Sequence, residues 1–68
     1  MNEDTLNMEV RKYLKKVGVT SQREIEHAVV KAIESGVLKG TTTVAATMTL
    51  NAPAIGFNGC IEGDIVLE

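Results

Sequence analysis

Few side chains in this 68-residue sequence are equipped for chemistry. His27 is the only histidine and Cys60 the only cysteine. A catalytic histidine needs a positioned partner that aims its proton. Read as helical, His27 stands about 200° around the axis from Ile25, beside Arg23, Lys31 and Glu34, which is the setting of a solvent-facing histidine. Cys60 as a nucleophile or redox centre would need a nearby base to favour the thiolate. Its sequence neighbours are Glu62 and Asp64, which disfavour it, so we expect an unreactive, partly exposed thiol. One His and one Cys do not make a tetrahedral nitrogen/sulfur metal site. Glu62, Asp64 and Glu68 could share a cation, but their spacing is that of any polar strand face. Acid–base carboxylate pairs need a shielded hollow, and Glu24 and Glu26 flank a helix start instead. No glycine-rich loop opens a phosphate-binding helix. The sequence therefore predicts no enzyme, no cofactor and no resident metal.

One group of residues has a physical argument for binding. Arg11, Lys12, Lys15 and Lys16 share the polar side of the first helical segment, and Arg23 follows. They could hold an anion or a nucleic-acid backbone, and a second copy would double them. A helix–turn–helix followed by a hairpin also resembles a reduced winged helix. Against this, seven basic and nine acidic residues give a net charge of −2. Residues 40–68 hold Glu62, Asp64 and Glu68 with no base, so the hairpin would repel phosphate. Only two aromatics, Tyr13 and Phe57, are present to stack on bases. Nucleic acid is the second choice of partner.

The elements that position these residues follow from periodicity. Leu6, Val10, Tyr13, Leu14 and Val17 fall on one helical face. Glu3 and Asp4 open it and Lys15 and Lys16 close it, as the helix dipole favours. Gly18 predicts a left-handed stop, with Val19 folding back onto Leu14. Ser21-Gln22-Arg23-Glu24 reads as a capping box. Ile25, Ala28, Val29, Ala32 and Ile33 then form a second apolar face, ended by Gly36 and Val37. From Thr41 the period becomes two: Val44, Ala46, Met48 and Leu50 alternate with Thr43, Ala45, Thr47 and Thr49. Asn51-Ala52-Pro53 breaks the strand, and Ile61, Ile65 and Leu67 mark its partner. The expected fold is α+β in one domain, 1–68: helices near 4–17 and 21–35, packed on an antiparallel hairpin of strands 42–50 and 60–67.

Alternation leaves the register open. A short turn pairs Leu50 with Ile55 and Met48 with Phe57, whereas a longer loop pairs Leu50 with Ile61 and Val44 with Leu67. The longer loop matches the strand lengths better. Asn58-Gly59 is a type I′ turn signal and adds a third option, a short extra strand at Ile55 to Phe57.

The size of the chain bears on its partners. A composition of 44% hydrophobic and 24% charged residues with one proline is that of a folded protein. At this length a single core is thin, and two-stranded hairpins are marginal with unpaired edges. No charge lies between Thr41 and Asn51, so this strand is suited to pair with another copy of itself. Such a homodimer would merge two hairpins into a four-stranded sheet with Val44, Met48 and Leu50 in a shared core. Met8 and Val30 project away from the main apolar faces and are further candidate contacts. Another protein docking at the same edge is the alternative partner. The longest apolar runs are three residues, such as Ile65-Val66-Leu67, so no membrane span is expected. The acidic start Met1-Asn2-Glu3-Asp4 is unlike a secretory signal, and a lone cysteine fits a reducing cytoplasm.

Several stretches also resemble a known family. They are Met1-Asn2-Glu3-Asp4-Thr5, the joint from Val17 to Glu26, Ser35-Gly36-Val37-Leu38-Lys39-Gly40, Ala46-Thr47-Met48-Thr49-Leu50, and the close from Ile61 to Glu68. Together they are similar to a family of short bacterial proteins, mostly proteobacterial, known only as a domain of unknown function. The resemblance runs over nearly the whole chain and implies a complete, free-standing bacterial protein. It implies no activity, cofactor or site residue.

Overall fold

In a computed structural model describing residues 1–68, one long helix, α1 (Glu3–Glu34), precedes two antiparallel strands, β1 (Thr43–Ala52) and β2 (Phe57–Val66). A 3-10 turn, Pro53–Ile55, leads from β1 towards β2. The chain divides into two compact units, Met1–Val37 and Leu38–Glu68. The class is α+β, as expected, but one helix stands where two were expected.

Asn2 starts α1. Its side-chain oxygen accepts from the backbone N–H of Asp4 at 2.9 Å and of Thr5 at 3.1 Å, satisfying two donors that the helix leaves free. Glu3 and Asp4 then lie in the first turn, against the positive end of the helix dipole. The expected stop at Gly18 is not used, and the capping box at Ser21 is not formed. A glycine inside a helix costs about 1 kcal/mol relative to alanine. Ending one helix and starting another leaves up to four carbonyls and four N–H groups needing new partners. Continuity is the cheaper outcome, because no proline occurs before Pro53 to forbid it. Gln22, expected inside the cap, instead donates from Nε2 to Glu26 Oε1 one turn on, at 2.8 Å.

The stop at Gly36 is used. Ser35 keeps a helical conformation and Gly36 takes φ 80°. Gly36 N–H donates to the Ile33 carbonyl at 3.1 Å and Val37 N–H to the Ala32 carbonyl at 3.0 Å. These two bonds are the Schellman pattern. Gly18 and Gly36 thus differ by context: only Gly36 is followed by residues that complete the cap. Nothing lies within 4 Å of a Cβ built on Gly18. Gly18→Ala is therefore expected to stabilise the protein by about 0.5–1 kcal/mol in urea unfolding. A loss of stability would instead place a helix end at Gly18.

In the hairpin, Val44 pairs with Ile65, Met48 with Ile61, Leu50 with Gly59 and Ala52 with Phe57. The expected longer-loop pairing of Leu50 with Ile61 and Val44 with Leu67 is not formed, nor is the short-turn pairing; the register lies between them, and β1 continues through Asn51 and Ala52. The third option, an extra strand at Ile55 to Phe57, is not formed, and Asn58 and Gly59 lie inside β2 opposite Asn51 and Leu50. Proline explains why the turn does not fall at Asn58-Gly59. A turn at Asn58-Gly59 would draw Pro53 into the strand, where it has no N–H to give. In the observed turn Pro53 opens the 3-10 segment, a position that needs no N–H. Gly56 closes it at φ 66°, donating its N–H to the Pro53 carbonyl at 3.1 Å.

All of these registers share parity, so the same residues share a face whichever pairing forms. Val44, Ala46, Leu50, Ala52, Gly59 and Ile65 are half-buried, and the alternating residues are exposed. The Phe57 ring lies over Gly59, with its Cζ 3.0 Å from where a Cβ would stand. The aromatic ring thereby covers the one apolar-face position of β2 where a glycine stands opposite Leu50.

Candidate interaction surfaces

On α1 the apolar residues form one unbroken row. Val17, Ser21, Ile25, Val29 and Ala32 are half-buried. Leu6 is 49% exposed, Val10 45%, Tyr13 54% and Leu14 53%. Large apolar side chains normally lose most of this surface on folding, and within the unit Met1–Val37 nothing covers the row. Reading two helices hid its continuity. The signal was present in the spacing: Leu6, Val10, Leu14, Val17, Ser21, Ile25, Ala28 and Ala32 step by four, four and three throughout.

Met8 and Val30 are 66% and 53% exposed on α1. With Val19 they mark every eleventh residue on the side away from the row. At 1.5 Å per residue Met8 and Val30 are about 33 Å apart, so the helix does not join them into one patch. On the hairpin, Val44, Met48 and Leu50 do come together on one face of β1. Val44 and Leu50 are half-buried and Met48 is 40% exposed. Beside them, the two-stranded sheet leaves the outer edge of β1 without a neighbouring strand.

Arg11, Lys12, Lys15 and Lys16 are all exposed on consecutive turns of α1. Lys12 and Lys16 line an open hollow with Glu9 and Tyr13. A second open hollow is lined by Glu24, His27, Ala28 and Lys31, so His27 faces outward, as its helical position implied. Cys60 is exposed, with Sγ 3.7 Å from Oγ1 of its cross-strand neighbour Thr49. No three His, Cys, Asp or Glu side chains meet in a metal-binding group, so Glu62, Asp64 and Glu68 are not assembled as one. No helix is long and apolar enough to cross a membrane.

Fold and surface together define a small α+β protein that presents faces and edges. The chain belongs to the family of unknown function DUF6494, whose model matches residues 1–68. No curated protein and no solved structure matches it.

Proposed function

We propose that this protein is non-enzymatic and works through protein contacts in the cytoplasm, the first of them with a second copy of itself. The observation that carries this reading is the open apolar row of α1, where Leu6, Val10, Tyr13 and Leu14 each keep about half their surface. The free outer edge of β1 adds to it. Thr43–Ala52 bears no charge to deter strand pairing. Two β1 edges related by a two-fold axis would give a four-stranded sheet, with Val44, Met48 and Leu50 on its shared face. Light scattering over a hundredfold concentration range tests the reading. The expected result is a mass twice that of the chain, and a monomer throughout would refute it.

A second reading rests on the exposed basic quartet Arg11, Lys12, Lys15 and Lys16. In it the dimer is a nucleic-acid-associated regulator. Retention on heparin that disappears with salt and with Lys15→Glu plus Lys16→Glu is its expected signature. Free passage over heparin at low salt would end it.

A further inference from the structure

We infer that α1 pairs antiparallel with α1 of a second copy, centred on Thr20. This deepens the homodimer reading and rests on it. The apolar row fixes which face is buried. Its steps of four, four and three repeat every eleven residues: Leu6, Val10, Leu14; Val17, Ser21, Ile25; Ala28, Ala32. Eleven residues over three turns is close to the natural helical period, so the row stays on one side of a nearly straight or slightly right-handed pair. Leu6 to Ala32 is a seam about 39 Å long at 1.5 Å per residue.

Charge fixes the direction. Glu9, Lys16, Glu24 and Lys31 border the row on one flank, and Arg11, Lys15 and Glu26 on the other. In an antiparallel two-fold pair each flank meets its own copy. With residue i level with residue 40 − i, Glu9 stands opposite Lys31 and Lys16 opposite Glu24. On the other flank Lys15 comes within one residue of level with Glu26. Every one of these meetings joins opposite signs, and each occurs twice. A parallel pair brings Glu9 beside Arg11 of the other copy, which is favourable, but sets Lys16 against Lys15 and Glu24 against Glu26, which is repulsive, so the antiparallel pair is the one with no like-charge meeting.

The same register matches the apolar side chains. Leu6 comes within one residue of level with Ile33 of the second copy, Val10 with Val29, and Leu14 with Ile25. Near the centre Ser21 is small, which permits the closest approach where the axes cross. The charged pairs meet at the stated register and the apolar pairs lie within one residue of it, so both place the centre near Thr20.

Cysteine cross-linking reads this geometry, with Cys60→Ser removing the native thiol. Under copper–phenanthroline oxidation, Ser21→Cys is expected to cross-link to itself. Leu6→Cys alone is expected not to, because the two copies lie about 42 Å apart along the seam. The double variant Leu6→Cys with Ala32→Cys is expected to cross-link at both ends. Charge reversal gives an independent readout. Lys16→Glu is expected to weaken the dimer about tenfold, since two favourable pairs become repulsive, and adding Glu24→Lys is expected to restore it. Cross-linking through Leu6→Cys alone would mean a parallel pair and overturn the inference. A dimeric mass with no cross-link at Ser21→Cys and no rescue would also overturn it, placing the contact at the β1 edge and leaving the homodimer reading intact. A monomeric mass would fail both.

Discussion

Leu14→Asp is expected to dissociate the dimer by at least a hundredfold, read by sedimentation equilibrium. Leu14 is 53% exposed in the isolated chain, so the free protomer loses little by the change. In the antiparallel pair it lies against Ile25 of the second copy. Burying a leucine side chain is worth about 1.5–3 kcal/mol. Leu14 already hides about half its surface, so the pair gains about half of that at each of two symmetric sites, about 1.5–3 kcal/mol per dimer, and a hundredfold is about 2.8 kcal/mol. The new carboxylate adds a desolvation cost in the same direction. Met8→Asp is the matched control. Met8 is more exposed, at 66%, but faces away from the row, so the same substitution there is expected to leave the association unchanged. The reverse ranking would show that the open row is not the contact, and that the isolated apolars Met8 and Val30 are.

The two open faces differ in how far the sequence determined them. Strand alternation carried the hairpin well: Val44, Ala46 and Leu50 are half-buried on one side and Thr43, Thr47 and Thr49 exposed on the other. Parity survives a register shift of two, so the face was legible while the pairing was not. The N–H that Pro53 lacks disfavours a turn at Asn58-Gly59, and Pro53 with the left-handed Gly56 makes the turn that is formed. On the helix the failure was different. Gly18 followed by Val19 and then by Ser21 through Glu24 meets every local criterion for a stop and a start, yet α1 runs through. Local signals permit a break but do not compel one. A row of apolar residues that keeps its phase across the glycine argues for continuity, because a turn there would have reset it. The basic quartet was legible as an exposed face. Its role was not, because Lys15, Lys16 and Arg11 serve equally to hold phosphate and to border an apolar seam. Competition separates these: a lysine engaged with Glu24 or Glu26 of a second copy is less available to a polyanion, so heparin would weaken a helix-paired dimer rather than bind beside it.

The hairpin offers the second large effect. Gly56→Val is expected to abolish the observed pairing, seen as loss of cross-strand proton contacts between Val44 and Ile65 and between Met48 and Ile61. Gly56 holds φ 66° and ψ 23°, a left-handed conformation that a β-branched residue adopts only under strain. The strain is on the order of 1–3 kcal/mol. A two-stranded hairpin is itself marginal, so a cost of this size removes it. Space is not the obstacle, since nothing lies within 4 Å of a Cβ built on Gly56. Gly56→Asn separates conformation from size: asparagine tolerates the left-handed region and is expected to retain most of the pairing. The valine variant also has an alternative open to it. A turn at Asn58-Gly59 would set Leu50 opposite Leu67 and Ala52 opposite Ile65, keeping the same faces but drawing Pro53 into the strand. New contacts between Leu50 and Leu67 would show that Gly56 selects between two registers of equal parity. Unchanged Val44–Ile65 contacts in Gly56→Val would show that Pro53 alone sets the turn.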